Sequence, residues 1–210
     1  RLSGVTSTVI QLVPIQNRLG QKVTTFGPGL PGHLPSMGYA ALPALWRPPE
    51  GRKVRVWHAR RNIEMLPGII LRDMLRMPLK LVFTSASQRR HTGWTKWLIS
   101  KMDRVIAVCQ KTASYLERES TVILHGIDLE RFSPAPDKAA AKAALGLDPT
   151  FRYAGCFGRL RHQKGTDLFV RAMIELLPAN PDWTAIITGR VTAEHRAFAD
   201  KLESDIKAAG

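Results

Sequence analysis

Two regimes of apolar patterning alternate along this chain. Runs that are apolar almost throughout, at residues 55–59, 80–85, 104–108 and 121–124, are separated by stretches whose apolar residues recur at helical spacing, at 63–77, 92–101 and 110–118. Short strands without polar alternation, exchanging with helices of roughly 10 to 15 residues, build parallel βαβ units. The pattern therefore predicts an α/β domain whose parallel sheet is covered by helices on both faces. Upstream, Val9, Ile10, Val13 and Ile15 predict a helix that starts near Thr6, carries an irregularity at Pro14 and stops at Leu19-Gly20. A short strand is predicted at 22–26, and residues 27–51 are so dense in Gly and Pro that they read as a long irregular connection.

The alternation breaks at Phe132-Ser133-Pro134-Ala135-Pro136-Asp137. An Ala- and Lys-rich helix at 138–145 leads out of this stretch, which reads as an interdomain linker. A second α/β pattern follows, with strands at 152–157 and 183–188 and helices at 166–177 and 193–208. Two strands are too few for a sheet of ordinary size. The expected organisation is a domain over 1–133, with its first strand lying before residue 1, and a partial second domain over 134–210.

Composition narrows the class. The 44% hydrophobic and 23% charged shares are those of a folded globular chain. Cys109 and Cys156 lie in apolar runs, where buried, reduced thiols are expected, and so fit a reducing compartment. No run approaches the ~20 apolar residues of a membrane-spanning helix, and the opening segment is not a basic-then-apolar signal. The net charge is +14, and it is unevenly placed: residues 47–111 hold 15 Lys and Arg against 4 Asp and Glu, a net +11. Such clustering concentrates an anionic partner, whether phosphate, nucleic acid or an anionic membrane.

Ligands of open α/β sheets gather beyond the carboxyl ends of the strands, so the residues after each strand are the candidates. Ser3-Gly4-Val5 forms a Gly and hydroxyl turn opening the first helix, which suits a phosphate but is a weak signal taken alone, since any βα turn can use Gly and Ser as an ordinary N-cap. His58, Arg60 and Arg61 end one strand. They are either a His and two cations aimed at an anionic or hydroxyl-bearing substrate, or a strand-end His with two solvated arginines. Gln88, Arg90 and His91 follow the next strand, and Trp94 and Trp97 lie three residues apart on the helix after it; the helical spacing favours a core position for the indoles over an interfacial one.

The fourth place is Gly155-Cys156-Phe157-Gly158-Arg159-Leu160-Arg161-His162-Gln163-Lys164-Gly165-Thr166, where a strand end, a basic loop and a helix start follow one another. An Arg and a Lys parted by a short loop at a helix N-terminus can neutralise a diphosphate from two sides. The spacing matches neither the Walker loop nor the dinucleotide-binding glycine fingerprint.

This G-R-x4-K-G run, with His125-Gly126-Ile127-Asp128 and Phe132 before the linker, resembles glycosyltransferase family 4, whose fold is GT-B: two Rossmann-like domains, the second truncated here. Residues 1–145, and 47–132 above all, look most like lipopolysaccharide core mannosyltransferases of alphaproteobacteria. The resemblance implies that Gly158, Arg159 and Lys164 hold the diphosphate of a nucleotide-sugar donor, that Ser3, Gly4 and Val5 approach it from the other domain, and that His58 joins Arg159 and Lys164 in catalysis. Arg60, Arg61, Gln88, Arg90 and His91 fall on the acceptor side.

The implied reaction moves mannose from GDP-mannose, with retention and without metal or other cofactor, onto a phosphorylated, lipid-linked core oligosaccharide. The implied location is cytoplasmic, peripheral on an anionic inner membrane surface. Two departures accompany the resemblance. Ala86 stands where many relatives carry a His, and the carboxylate pair that binds donor hydroxyls in relatives would fall after Gly210, so this chain is expected to turn over little donor. A basic nucleic-acid-binding protein and a non-catalytic sugar-phosphate module are the alternatives. No recognition-helix, RRM, KH or zinc-finger pattern supports the first, and nucleic acid is not an expected partner.

Overall fold

In the computed structural model, which describes residues 4–210, the chain divides after Phe132 into one unit ending there and a second, Ser133–Gly210. The first unit opens on α1 (Gly4–Arg18), with Pro14 inside it and Val13 its buried residue. Asn17 closes the helix end by donating to the Val23 carbonyl and accepting from the Val23 N–H. Lys22 takes a φ of 52°, so the expected strand at 22–26 shrinks to β1 (Thr25–Phe26), paired in parallel with β2 (Ser36–Met37). The Gly- and Pro-rich connection is largely irregular but contains a 3-10 helix, Tyr39–Trp46, whose Trp46 indole N–H donates to the Leu75 carbonyl.

Four parallel strands follow, β3 (Arg55–Ala59), β4 (Leu79–Ser85), β5 (Arg104–Ala107) and β6 (Thr121–Val122), in the order β3-β4-β5-β6. The crossovers are α2 (Asn62–Ile69), which runs on into a π turn at Ile70–Met74, then α3 (Gly93–Ser100) and the short α4 (Gln110–Ala113). Right-handed crossovers between strands laid down in one direction put every helix on the same face of the sheet. The core lies there, with Leu79, Leu81 and Phe83 of β4 against Met65 and Ile69 of α2 and Leu98 and Ile99 of α3.

That topology corrects one expectation. The opposite sheet face is only partly covered: Val56 and His58 are exposed and Val82 and Ile106 half-buried. Other expectations also change. The helix expected at 63–77 ends early because Arg76 turns to a φ of 52°, and that expected at 110–118 stops at Ala113, before Glu117 takes a φ of 54°. Trp94 and Trp97 are not core residues; they are 53% and 43% exposed and stack on each other at 5.1 Å between centroids. Thr95, Leu98 and Ile99 already fill the inward face of α3. Neither cysteine is fully buried; both are half-exposed free thiols.

The second unit opens on α5 (Lys138–Ala144), whose N-cap Asp137 accepts from the Ala139 and Ala140 N–H groups. Strands β7 (Arg152–Phe157) and β8 (Trp183–Thr188) pair in parallel throughout their length. Helices α6 (Thr166–Leu176) and α7 (Arg196–Ala209) pack together and bury Val170, Ala199 and Leu202.

Candidate functional site

At the carboxyl end of β3, His58 Nε2 lies 2.7 Å from Thr84 Oγ1 of the neighbouring strand. The parallel register puts His58 opposite Val82, so Thr84 is two positions further along the same face. Part of the ring stays open to solvent. Burial of the rest, reinforced by the Arg60 cation, pushes its pKa down to about 4. The imidazole is therefore neutral at pH 7, with one ring nitrogen able to donate and the other to accept a hydrogen bond.

The next three residues turn the chain into α2. Glu64, in the first turn of that helix, accepts from the Arg60 N–H at 2.7 Å and pairs with the Arg61 guanidinium at 3.8 Å. This supplies an acidic side chain where the helix dipole favours one. Arg61 Nη2 also donates to Thr6 Oγ1 at 3.2 Å, so the end of β3 is tied to the start of α1. Asn62 Nδ2 donates to Thr95 Oγ1 at 2.7 Å, which fixes α2 beside α3.

After β4, Gln88 Nε2 reaches Cys109 Sγ at 3.6 Å. Cys109 caps α4 by accepting from the Thr112 N–H, and its contacts with the Thr112 hydroxyl and N–H lower the thiol pKa. His91 Nε2 is buried without a hydrogen-bond partner, and burial followed by Arg89 lowers its pKa. Arg90 is exposed. Among the described residues no hydrogen bond or ion pair joins His58 or Arg60 to Gln88, Arg90 or His91. The acceptor-side candidates thus form two groups, one at the β3 end and one at the ends of β4 and β5. Of the amino-terminal turn, Ser3 lies outside the described residues, while Gly4 and Val5 form the first positions of α1. Thr8 donates its hydroxyl to the Gly4 carbonyl there.

In the second unit the loop after β7 is held by its backbone. Gly158, at φ 148°, donates its N–H to the Thr188 carbonyl, and Leu160 donates to the Arg190 carbonyl. The chain turns through a 3-10 helix, His162–Lys164, to Gly165 at φ 69°, a left-handed position that starts α6 without a side-chain cap. Arg159 and Lys164 are exposed at either end of this short loop. His162 is held between the Phe198 ring, at 4.1 Å, and Asp167, at 3.6 Å. Arg161 Nε is buried without a partner. The loop therefore presents cations and a helix N-terminus from a fixed backbone, an arrangement that suits a phosphate group.

Sequence reasoning missed three contributors. Thr84 and Glu64 carry no motif. Gly189-Arg190 did leave a signal, since it follows the apolar strand β8 as Gly158-Arg159 follows β7. A polar hollow among Asp103, Arg104, Arg118 and Thr121 lies at the amino ends of β5 and β6, away from these loops. Among the described residues, no three His, Cys, Asp or Glu side chains group as metal ligands, and no helix is long and apolar enough to cross a membrane.

No protein-family model matches the chain. Over all 210 residues it is 63% identical to the lipopolysaccharide core biosynthesis mannosyltransferase LpsB of Rhizobium meliloti, and 62% identical to LpcC, of the same description, from Rhizobium leguminosarum bv. viciae. The chain resembles lipopolysaccharide core mannosyltransferases throughout. It spans 60% of LpsB and 59% of LpcC, so these mannosyltransferases extend well beyond what it covers. The Anabaena protein HepE, solved in complex with UDP and glucose, matches the whole chain over 64% of its own, with a TM-score of 0.69 at 15% identity. That likeness speaks to fold alone, and the fold is α/β of the GT-B type.

Proposed function

We propose that this chain forms part of a retaining glycosyltransferase that moves mannose from GDP-mannose onto a phosphorylated, lipid-linked lipopolysaccharide core oligosaccharide. The observation that carries the reading is the 63% identity to LpsB across every residue of the chain. The Gly158–Gly165 loop supports it independently, because it offers exposed Arg159 and Lys164 on a backbone pinned to β8.

In this reading the diphosphate sits against Arg159, Lys164 and the start of α6. As the bond between the mannose anomeric carbon and the diphosphate oxygen breaks, negative charge grows on the nucleotide. Fixed cations and helix N–H groups lower that barrier. The acceptor hydroxyl oxygen bonds to the anomeric carbon on the face the diphosphate leaves, and its proton passes to a diphosphate oxygen. Neutral His58, with Thr84 fixing its ring, positions an acceptor hydroxyl by hydrogen bonding, and the +11 segment holds the acceptor's phosphates. The work takes place at the inner face of an anionic membrane, where lipid-linked acceptors reside.

Donor screening by calorimetry, with GDP-mannose, UDP-glucose and free GDP, tests the donor half. Arg159→Ala and Lys164→Ala should each weaken GDP-mannose binding by roughly tenfold, the scale of a lost charge-assisted hydrogen bond. Unchanged affinity in both variants would remove the loop from the donor site.

A further inference from the structure

The outer face of the α2–α3 layer holds an apolar surface that no catalytic reading uses. Helix α2 and its π turn are apolar without interruption from Met65 to Leu71, with Asn62, Glu64, Arg72 and Asp73 confined to the two ends. Met65, Gly68, Ile69 and Leu71 face the core, while Ile63, Leu66, Ile70 and Met74 fall at i, i+3, i+7 and i+11 on the other side, with Ile63 and Met74 each 74% exposed. A helix of this composition is ordinarily buried on all sides.

Helix α3 lies alongside. Asn62 is bonded to Thr95 near the starts of the two helices, and Arg72 donates to the Lys101 carbonyl and to Asp103 near their ends. The stacked indoles of Trp94 and Trp97 occupy the outward face of α3, and Lys101 Nζ lies 5.8 Å from the Trp97 ring centre. The two helices therefore share one outward surface with six large apolar side chains, more than scattered surface hydrophobics explain.

The charge around it selects the occupant. Of the four acids between residues 47 and 111, Glu64, Asp73 and Asp103 are taken up by Arg61, Arg72 and Lys80, while Arg76, Arg89 and Lys101 make no ion pair among the described residues. A second copy docking through the same patch would set this positive segment against itself. A single-stranded nucleic acid stacks successive bases on separate aromatic side chains, whereas here the two indoles form a single stacked block and the α2 side chains are aliphatic. Aliphatic side chains, indoles and Lys101 beside Trp97, in a segment of net charge +11, together match the boundary between headgroups and acyl chains in an anionic bilayer.

We infer that the outer face of α2 and α3, with Trp94 and Trp97 at its centre, is the surface by which this protein docks on anionic membrane. The inference rests on the lipid-linked acceptor reading above and assigns its membrane contact to particular side chains. Docking here is peripheral, with the apolar side chains immersed and the cations at headgroup level.

The test is co-sedimentation of the full chain with vesicles of phosphatidylcholine, alone and with added phosphatidylglycerol. Binding should require phosphatidylglycerol and fall with salt. Trp94→Ser combined with Trp97→Ser should lower it by roughly tenfold or more, with far-UV circular dichroism unchanged because both side chains are exposed. Quenching of tryptophan fluorescence by brominated acyl chains should be strong in the parent and largely lost in the double variant.

Undiminished vesicle binding by the folded double variant would overturn the proposal. So would a patch that binds a single-stranded oligonucleotide but no vesicles, or one whose substitution changes only self-association in sedimentation velocity. GDP-mannose binding, measured separately, reports on the donor reading and is expected to be the same in parent and double variant.

Discussion

Gly189 stands so close to Gly158 that a Cβ placed on it would overlap the Gly158 carbonyl. The two glycines follow β8 and β7, and the hydrogen bonds from Gly158 to Thr188 and from Leu160 to Arg190 draw the strand ends together. The space is closed by backbone, which cannot swing aside as a side chain can. Gly189→Ala should therefore displace the Gly158–Gly165 loop, destabilise the second unit by ~1 to 3 kcal/mol, the usual range for overpacking, and weaken nucleotide-sugar binding as well. Thermal melts and donor titration of the same sample check both effects. A variant of normal stability and affinity would show that this approach does not shape the loop.

His58 carries a pH signature. In the folded chain its pKa lies near 4, against 6.5 for an unhindered imidazole. Between those values the unfolded chain binds the extra proton and the folded chain does not, so stability falls as pH drops from about 6.5 towards 4. His91 is shifted in the same direction and adds to the slope. His58→Gln should flatten this dependence, and His58→Gln with His91→Gln should flatten it further, in melting temperatures followed across the window. An unchanged slope in both variants would mean that other groups carry it.

Gly68 lies in the middle of the helical run that α2 and its π turn form, where alanine would normally be the better helix former by ~1 kcal/mol. Here a Cβ would come within 2.6 Å of Trp57 Cδ1 and 3.2 Å of Leu81 Cδ2. Trp57 cannot easily retreat: its indole N–H donates to the Glu64 carbonyl at 2.8 Å and its ring meets Phe26. Gly68→Ala should therefore be destabilising overall, by about 1 to 2 kcal/mol. Gly68→Ala in a Trp57→Leu background should recover the helix-propensity gain. Chemical denaturation of the four variants measures the coupling.

How much of this was legible depended on whether the signal was local. Runs such as Leu81-Val82-Phe83 declare a strand wherever they sit, and the β7–loop–α6 segment carried its own punctuation in Gly158 and Gly165. Helix ends at Arg76 and Glu117 were hidden because non-glycine residues take the left-handed turn there. The partly covered sheet face was hidden because Val56 and Val82 are as apolar as the inward residues beside them, and only strand order decides which face the helices take. Trp94 and Trp97 were misplaced for a related reason. Their spacing defines one side of a helix, and Thr95, Leu98 and Ile99, on the other side, had already claimed the core.

Asp103 joins three parts of the first unit. Its carboxylate accepts at 2.8 Å from Arg72 in the π turn after α2, from Lys80 on β4 and from the Leu81 N–H. Burial alone would raise its pKa, but the hydrogen bonds from Lys80, Leu81 and Arg72 outweigh that and hold it below the ordinary carboxylate value. The stabilisation is accordingly present above the unfolded pKa, near 3.8, and is lost as pH falls through the lower folded value.

Removing the acceptor leaves the Leu81 N–H without its partner and takes one bond from the Arg72 guanidinium, which keeps Asp73 and the Lys101 carbonyl, so Asp103→Ala should cost about 1 to 3 kcal/mol. Lys80→Ala removes only a largely exposed partner and should cost under ~1 kcal/mol. Asp103→Asn keeps the shape but gives up the charge and one acceptor oxygen, and should fall between the two. Urea unfolding followed by tryptophan fluorescence ranks the three. Equal losses for Lys80→Ala and Asp103→Ala would place the effect in the surface ion pair instead of the buried donors.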